Sequence, residues 1–168
     1  HQEMIGNRTY IYRAAGFQTP GASYPQYQMN VIDKYPEASG GTASDVGDTT
    51  LPIAQHAGHS SETHAYISGG YENAPTPTFS PNGPFSNKVQ KWPFASDGNA
   101  TDVGDITNRG SGGTGQSSTA SGYIAGGYGY GSPNYKNIIE KYSFLSDGNA
   151  TDVGDLTAAR YAGAGQQV

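Results

Sequence analysis

The chain has 168 residues, nine Lys and Arg against fourteen Asp and Glu, a net charge of −5, 25 Gly and no Cys. That length suffices for one domain with a core. The missing Cys excludes disulfides, thiolate metal sites and Cys nucleophiles, and an acidic balance with no basic run argues against nucleic acid and anionic lipid as partners. No apolar run approaches the ~18 residues of a membrane span, so no membrane insertion is expected. Charged residues, at 14%, are too few for charge-driven disorder, while 13 Tyr among many Gly, Ser and Thr suit short strands and tight turns. The chain opens on His1 with no signal peptide in view, as expected of a processed protein or a piece of a longer one.

The predicted elements are β throughout. YIYRAAGF (10–17), VIDKYPE (31–37) and SDVGD (44–48) come first. AGHSS (57–61), AYISGGY (65–71), KVQKWPF (88–94) and SDGNATDVGD (96–105) follow. TGQSS (114–118), GYIAGGY (122–128), IIEKYSF (138–144) and a second SDGNATDVGD (146–155) repeat them, and AGQQ (164–167) restarts the cycle. No window carries helical apolar spacing over three turns, and Gly or Pro interrupts nearly all of them. Four short strands in roughly 50 residues is the period of kelch repeats and the make-up of a propeller blade. The expected fold is all-β: three blades of four antiparallel strands, at 1–56, 57–113 and 114–168, the last also holding the first strand of a following blade.

The motifs resemble the kelch family. Gly69-Gly70 and Gly126-Gly127 match its glycine pair, and Tyr35, Trp92 and Tyr142 its first aromatic; Arg109 and Arg160 lie near its late Arg. The chain departs from the pattern with Val46, Val103 and Val153 where kelch repeats carry a Trp, and with Ala15-Gly16 for the first glycine pair. The wording FASDGNATDVGD with GQSST and GYIAGGY also resembles repeats in structural proteins of tailed phages of aquatic and cyanobacterial hosts. That resemblance implies a virion or extracellular location and structural or adhesive work.

The identical decapeptide at 96–105 and 146–155 reads as a turn, a metal loop or a sugar site. Blade 1 carries Gly40-Gly41 where the others carry Asp97-Gly98 and Asp147-Gly148. Asp-Gly and Gly-Gly share tolerance of positive φ, not ligand chemistry, which favours a two-residue hairpin turn over calcium. DVGD, kept in all blades, is expected to pack its Val between blades. Its Gly should permit close approach, and the carboxylates of Asp48, Asp105 and Asp155 should accept backbone N–H bonds. Asn7, Asn99 and Asn149 head formal glycosylation triplets.

His56, His59 and His64 are replaced in blade 3 and are read as polar loop residues rather than metal ligands. No metal or other cofactor is expected. The kelch-class copper oxidase reaction needs a Cys that is absent, and a sialidase needs an Arg cluster where only four Arg exist. The expected role is therefore non-enzymatic. The connections after the Y-I-x-G-G strands differ in length while the strands repeat. They hold Tyr24, Tyr27, Phe79, Phe85, Tyr130 and Tyr135, read as one exposed aromatic face for carbohydrate or protein. A phage tail-fibre-like component is the leading expectation. A self-assembling extracellular filament and a carbohydrate-active enzyme are the alternatives, with self-assembly through terminal strands expected in the first two.

Overall fold

The computed structural model describes residues 10–18, 27–72 and 84–165. The described chain is all-β, with no helix and hence none long and apolar enough to cross a membrane. Unit 1 is a three-stranded antiparallel sheet of β1 (Tyr10–Gln18), β2 (Tyr27–Pro36) and β3 (Ser44–Asp48), in that order. The short strand β4 (Ile53–Ala54) leads into unit 2, whose sheet runs β5 (Ala57–Ser60), β6 (His64–Ser68), β8 (Lys88–Pro93) and β9 (Thr101–Asp105). β4 pairs with β7 (Tyr71–Glu72), which continues β6 beyond its glycine pair. Unit 3 repeats this plan. β10 (Gly110–Ser111) pairs with β13 (Tyr128–Gly129), and β11 (Thr114–Ser117), β12 (Ser121–Ala125), β14 (Ile138–Ser143) and β15 (Thr151–Asp155) form the sheet. A fourth strand of unit 1 would draw on residues 1–9, outside the described residues.

The backbone repeats as closely as the sequence. Ala15, Gly69 and Gly126 hold φ of 55°, 61° and 69°, and Gly16, Gly70 and Gly127 hold 108°, 115° and 114°. The degenerate first pair therefore keeps the conformation of the other two, with Ala15 in the left-handed region that most residues avoid. Each last strand carries a bulge. Pairing jumps from Val89↔Gly104 to Gln90↔Asp102, so Val103 is the extra residue, and Val46 and Val153 stand at the same bulge. A bulge re-aims its side chain. Here Val46 and Val103 turn onto the cores between units.

Among the described residues both core clusters lie between units. One cluster joins Ala15 and Ile32 of unit 1 to Ile53, Ile67 and Trp92 of unit 2; the other joins Tyr66 and Val89 of unit 2 to Ile124 and Tyr142 of unit 3. Aromatic rings cross each seam. Tyr12 meets Phe94 at 5.2 Å between centroids, and its repeat counterpart Tyr66 stacks on Phe144 at 4.7 Å. Each sheet thus buries its apolar face only against the next, as in other repeat architectures.

The repeated decapeptide closes these seams. The expected two-residue turn at Asp97-Gly98 is not formed, because β8 and β9 are joined by residues 94–100. That longer connection reaches the preceding unit. Asp97 pairs with Lys34 at 2.5 Å and Asp147 with Lys91 at 2.5 Å. The Asp48 N–H donates to Asn99 Oδ1 (3.0 Å), and the Ala100 N–H donates to the Asp48 carbonyl (2.8 Å). Unit 3 repeats the pair at Asp105, with Asn149 Oδ1 at 2.9 Å and the Ala150 N–H at 2.8 Å. Between these bonds the Gly98 and Gly148 carbonyls lie directly over Gly47 and Gly104, where any Cβ would collide. So the first half of the string is a plug, and the DVGD half is the socket for the next plug. The Gly98 and Gly148 φ of 156° and 151° serve this extended reach.

The roles expected of Asp48, Asp105 and Asp155 also change. The bonds across the seams use the backbones of Asp48 and Asp105. The carboxylates that accept a local N–H belong to the first Asp of the motif: Asp45 to Gly47 (3.2 Å) and Asp152 to Gly154 (3.0 Å).

A second bond registers each seam one turn further on. Fully buried Gln90 accepts the Thr50 N–H at 2.7 Å, and buried Glu140 accepts the Thr107 N–H at 2.5 Å together with the Thr107 hydroxyl. Burial raises the Glu140 pKa, opposed by the Thr107 bonds.

Three variants test this geometry. Gly104→Ala should lower stability by about 1–3 kcal/mol, as overpacking does, measured by chemical denaturation. Glu140→Gln should keep or raise the melting temperature at neutral pH, since Gln90 performs the same task uncharged. Glu140→Leu should lose about 1–3 kcal/mol by orphaning the Thr107 amide.

Candidate binding surface

The glycine pair bends each β6-type strand so that the following tyrosine starts a new short strand. Tyr71 then bridges to Phe85, and Tyr128 bridges to Tyr135. These bridges gather the loop aromatics into one ladder. Phe85 lies 5.6 Å from Tyr71, 5.9 Å from Tyr128 and 5.2 Å from Tyr130; Tyr135 lies 5.3 Å from Tyr128 and 6.4 Å from Tyr161. The contacts are edge-to-face, a favoured aromatic geometry.

The six aromatics expected on one exposed face divide unequally. Tyr130 is 43% exposed and Tyr135 53%. Phe85 is only 3% exposed, so its reading as a surface contact is corrected. It is the floor of the ladder, covered by Tyr128 and Tyr130 of the next unit. Tyr27 begins strand β2, while Tyr24 and Phe79 lie outside the described residues. Sequence reasoning missed Tyr161, 39% exposed at the end of the ladder, because it stands outside the connection that carries the other rings.

The loop carrying Tyr130 and Tyr135 is fastened by Lys136. Its Nζ donates to the carbonyls of Tyr130 and Pro133, both at 2.8 Å, while Asn134 Nδ2 donates to the Tyr128 hydroxyl at 3.1 Å. A fixed loop with open rings presents apolar area and hydroxyls at small conformational cost, which suits recognition of a flat ligand. A cavity beside it, between units 2 and 3, measures about 20 Å³, room for one water. Ser68, Arg109 and Glu140 are among the residues lining it.

The histidines are not loop residues in solvent. His59 is buried, with Nδ1 3.1 Å from the Gln116 carbonyl of unit 3 and Nε2 2.8 Å from Ser68 Oγ. His56 Nε2 lies 3.0 Å from the Ala14 carbonyl of unit 1. Each therefore joins unit 2 to a neighbour, while His64, half-buried at the start of β6, is hydrogen-bonded to the Thr63 hydroxyl at 2.8 Å. Among the described residues no cluster of His, Asp or Glu has metal-binding geometry. Asn99 and Asn149 are exposed, but their side-chain carbonyls are committed to the seams; Asn7 lies outside the described residues.

No family model and no curated protein matches the chain. Among solved structures, one titled "Structure of YjhT" superposes with a TM-score of 0.70 at 10% identity, covering 91% of this chain and 51% of that one. The chain spans about half of that structure's length. The likeness is one of fold and supports the all-β architecture.

Burial pulls His59 down to about 4 and lowers His56 as well. An unfolded His takes up a proton near 6.5. Between these values the unfolded chain binds more protons, so stability is full above about pH 6.5 and is lost as pH falls toward 4. The melting temperature should drop between pH 7 and 5, with His59 contributing a slope on the order of 1 kcal/mol per pH unit below about pH 6.5. His59→Gln should flatten that slope, which thermal melts at the two pH values will read.

Proposed function

We propose that this chain is a segment of a kelch-like β-propeller that works by binding, as a tail-fibre-like component of a phage virion or a related extracellular particle. The kelch-like glycine pairs with their shared φ values, and a sheet-on-sheet seam repeated in register, support blades over any other all-β arrangement. The observation that carries the binding reading is the pair Tyr130 and Tyr135, exposed on a loop that Lys136 ties down at two carbonyls. Tyrosine rings set beside Asn and Ser fit a host-surface glycan, whose sugar faces stack on aromatics while its hydroxyls bond to amides. An adjacent virion protein is the other occupant of the same chemistry. The proposed role is non-enzymatic.

A second reading, a structural repeat that works by self-assembly, is favoured by one different observation. Val153 is 51% exposed at the bulge where Val46 and Val103 are packed between units, so unit 3 ends on a seam with no described residue packed against it.

The binding reading has a direct test. Tyr130→Ala with Tyr135→Ala should weaken retention on host-surface polysaccharide by about tenfold or more, the loss of one or two stacking contacts, in a variant that stays folded at the assay temperature although uncovering Phe85 lowers its melting temperature. Unchanged retention by a folded double variant would move the function away from this loop.

A further inference from the structure

The two seams give a rule for what each unit offers its neighbours. Toward the next unit, a unit offers a tyrosine, a lysine, the DVGD bulge and a Thr amide. Toward the preceding unit, it offers a Phe, an Asp-Gly-Asn plug and a buried amide or acid. Both seams are built this way, from Tyr12, Lys34, Asp48 and Thr50 against unit 2, and from Tyr66, Lys91, Asp105 and Thr107 against unit 3.

Unit 3 carries the full outgoing set: Tyr123, Lys141, Gly154, Asp155 and Thr157. Among the described residues nothing fills it. Lys141 Nζ rests over the Tyr123 ring at 5.7 Å, where its counterpart Lys91 holds an Asp. Gly154 has open space where Gly47 and Gly104 meet a carbonyl, although its φ of 153° is close to the 157° of Gly47. The Thr157 hydroxyl accepts from Arg160 of its own unit, at 3.3 Å. The chain has already begun the next unit. Gly165 lies against the Gly115 carbonyl as Gly115 lies against that of Gly58, and the Ala162 N–H donates to the Gly112 carbonyl (2.9 Å) as the Gly112 N–H donates to that of Gln55 (2.7 Å).

Unit 1 does not carry the incoming set. Glu37 stands where Phe94 and Phe144 stand, Gly40 replaces the plug Asp and Thr42 replaces the plug Asn. Placed on unit 3, it would bring Glu37 to the ring of Tyr123 and leave Lys141 and the Asp155 amide without the partners that the internal seams supply. Losing a charge-assisted pair and a backbone bond, and gaining a carboxylate at an aromatic seam, all act in the same unfavourable direction.

We infer that the open face of unit 3 is a docking site for a further repeat unit bearing a Phe and an Asp-Gly-Asn plug, and that unit 1 of a second copy is not its occupant. The interface is directional. The unit 3 face is built to receive a plug, and unit 1 carries Gly40 and Thr42 where a plug would carry Asp and Asn. This inference rests on the seams alone and stands whether or not the aromatic loop binds a glycan.

The test extends the full chain. A copy of residues 119–168 is fused after Val168, where AGQQV (164–168) matches TGQSS (114–118), so that the repeat continues in sequence register. In a second version the copy carries the unit 1 residues, by Phe144→Glu, Asp147→Gly and Asn149→Thr in the added segment only. The Asp155 amide should exchange more slowly in the first version by about tenfold or more, the equivalent of one lost bond to the docking unit. A synthetic peptide copying residues 138–151, added to the unextended chain, gives a second readout. It should shift the Gly154 and Asp155 amide resonances, and its Glu/Gly/Thr form should not. Equal protection in both versions, or no protection with no shift, would overturn the inference. So would sedimentation of the unextended chain as a head-to-tail oligomer that Lys141→Glu disperses, because unit 1 of a second copy would then be the occupant.

Discussion

Everything in this fold depends on one contact: the carbonyl of a plug glycine resting on the bulge glycine of the preceding unit. Around it the Asn amide and the Ala N–H grip both backbone groups of one Asp, and a Lys–Asp pair closes the outside. The ion pairs, with both aspartates more than half exposed, add little energy themselves. They set register, while the amide bonds and the apolar seam supply the stability. Asp97 raises the Lys34 pKa through its hydrogen bond, so the pair persists across ordinary pH.

That contact explains why the same ten residues appear twice. A seam has two sides, and each inner unit must supply both. The plug and the socket are joined in one string because the connection between the last two strands faces backward while the last strand faces forward. Any change in the string alters two interfaces at once. Unit 1, with Gly40-Gly41 and Thr42, shows that the plug is dispensable where its own backward face meets no other described unit, while the socket is kept because unit 2 sits in it.

The same arrangement sets the character of the aromatic surface. In unit 2 the Tyr71–Phe85 pair is buried under rings from unit 3, whereas in unit 3 the equivalent Tyr128–Tyr135 pair has Tyr161 on its outer side and Tyr135 stays open. Exposure here is a property of position in the array as much as of residue type. Tyr130 differs, since the loop that carries it is tied down locally through Lys136.

The sequence by itself determined the all-β class and the recurrence of short antiparallel strands in one repeated order. Those features are local: strand periodicity, turn residues and the repeat itself are read from neighbours along the chain. It also pointed to Val46 and Val103 as seam residues, through their place in a string kept in every unit. Only the tertiary structure decided what the string does. Its partners lie some fifty residues away, and Asp-Gly reads as a turn to any local rule. The same limit hid the fates of His59 and Phe85, whose burial comes from unit 3 rather than from their own surroundings in the chain. A repeat announces its own strands in its sequence, but whether a residue is covered depends on the neighbour that packs against it.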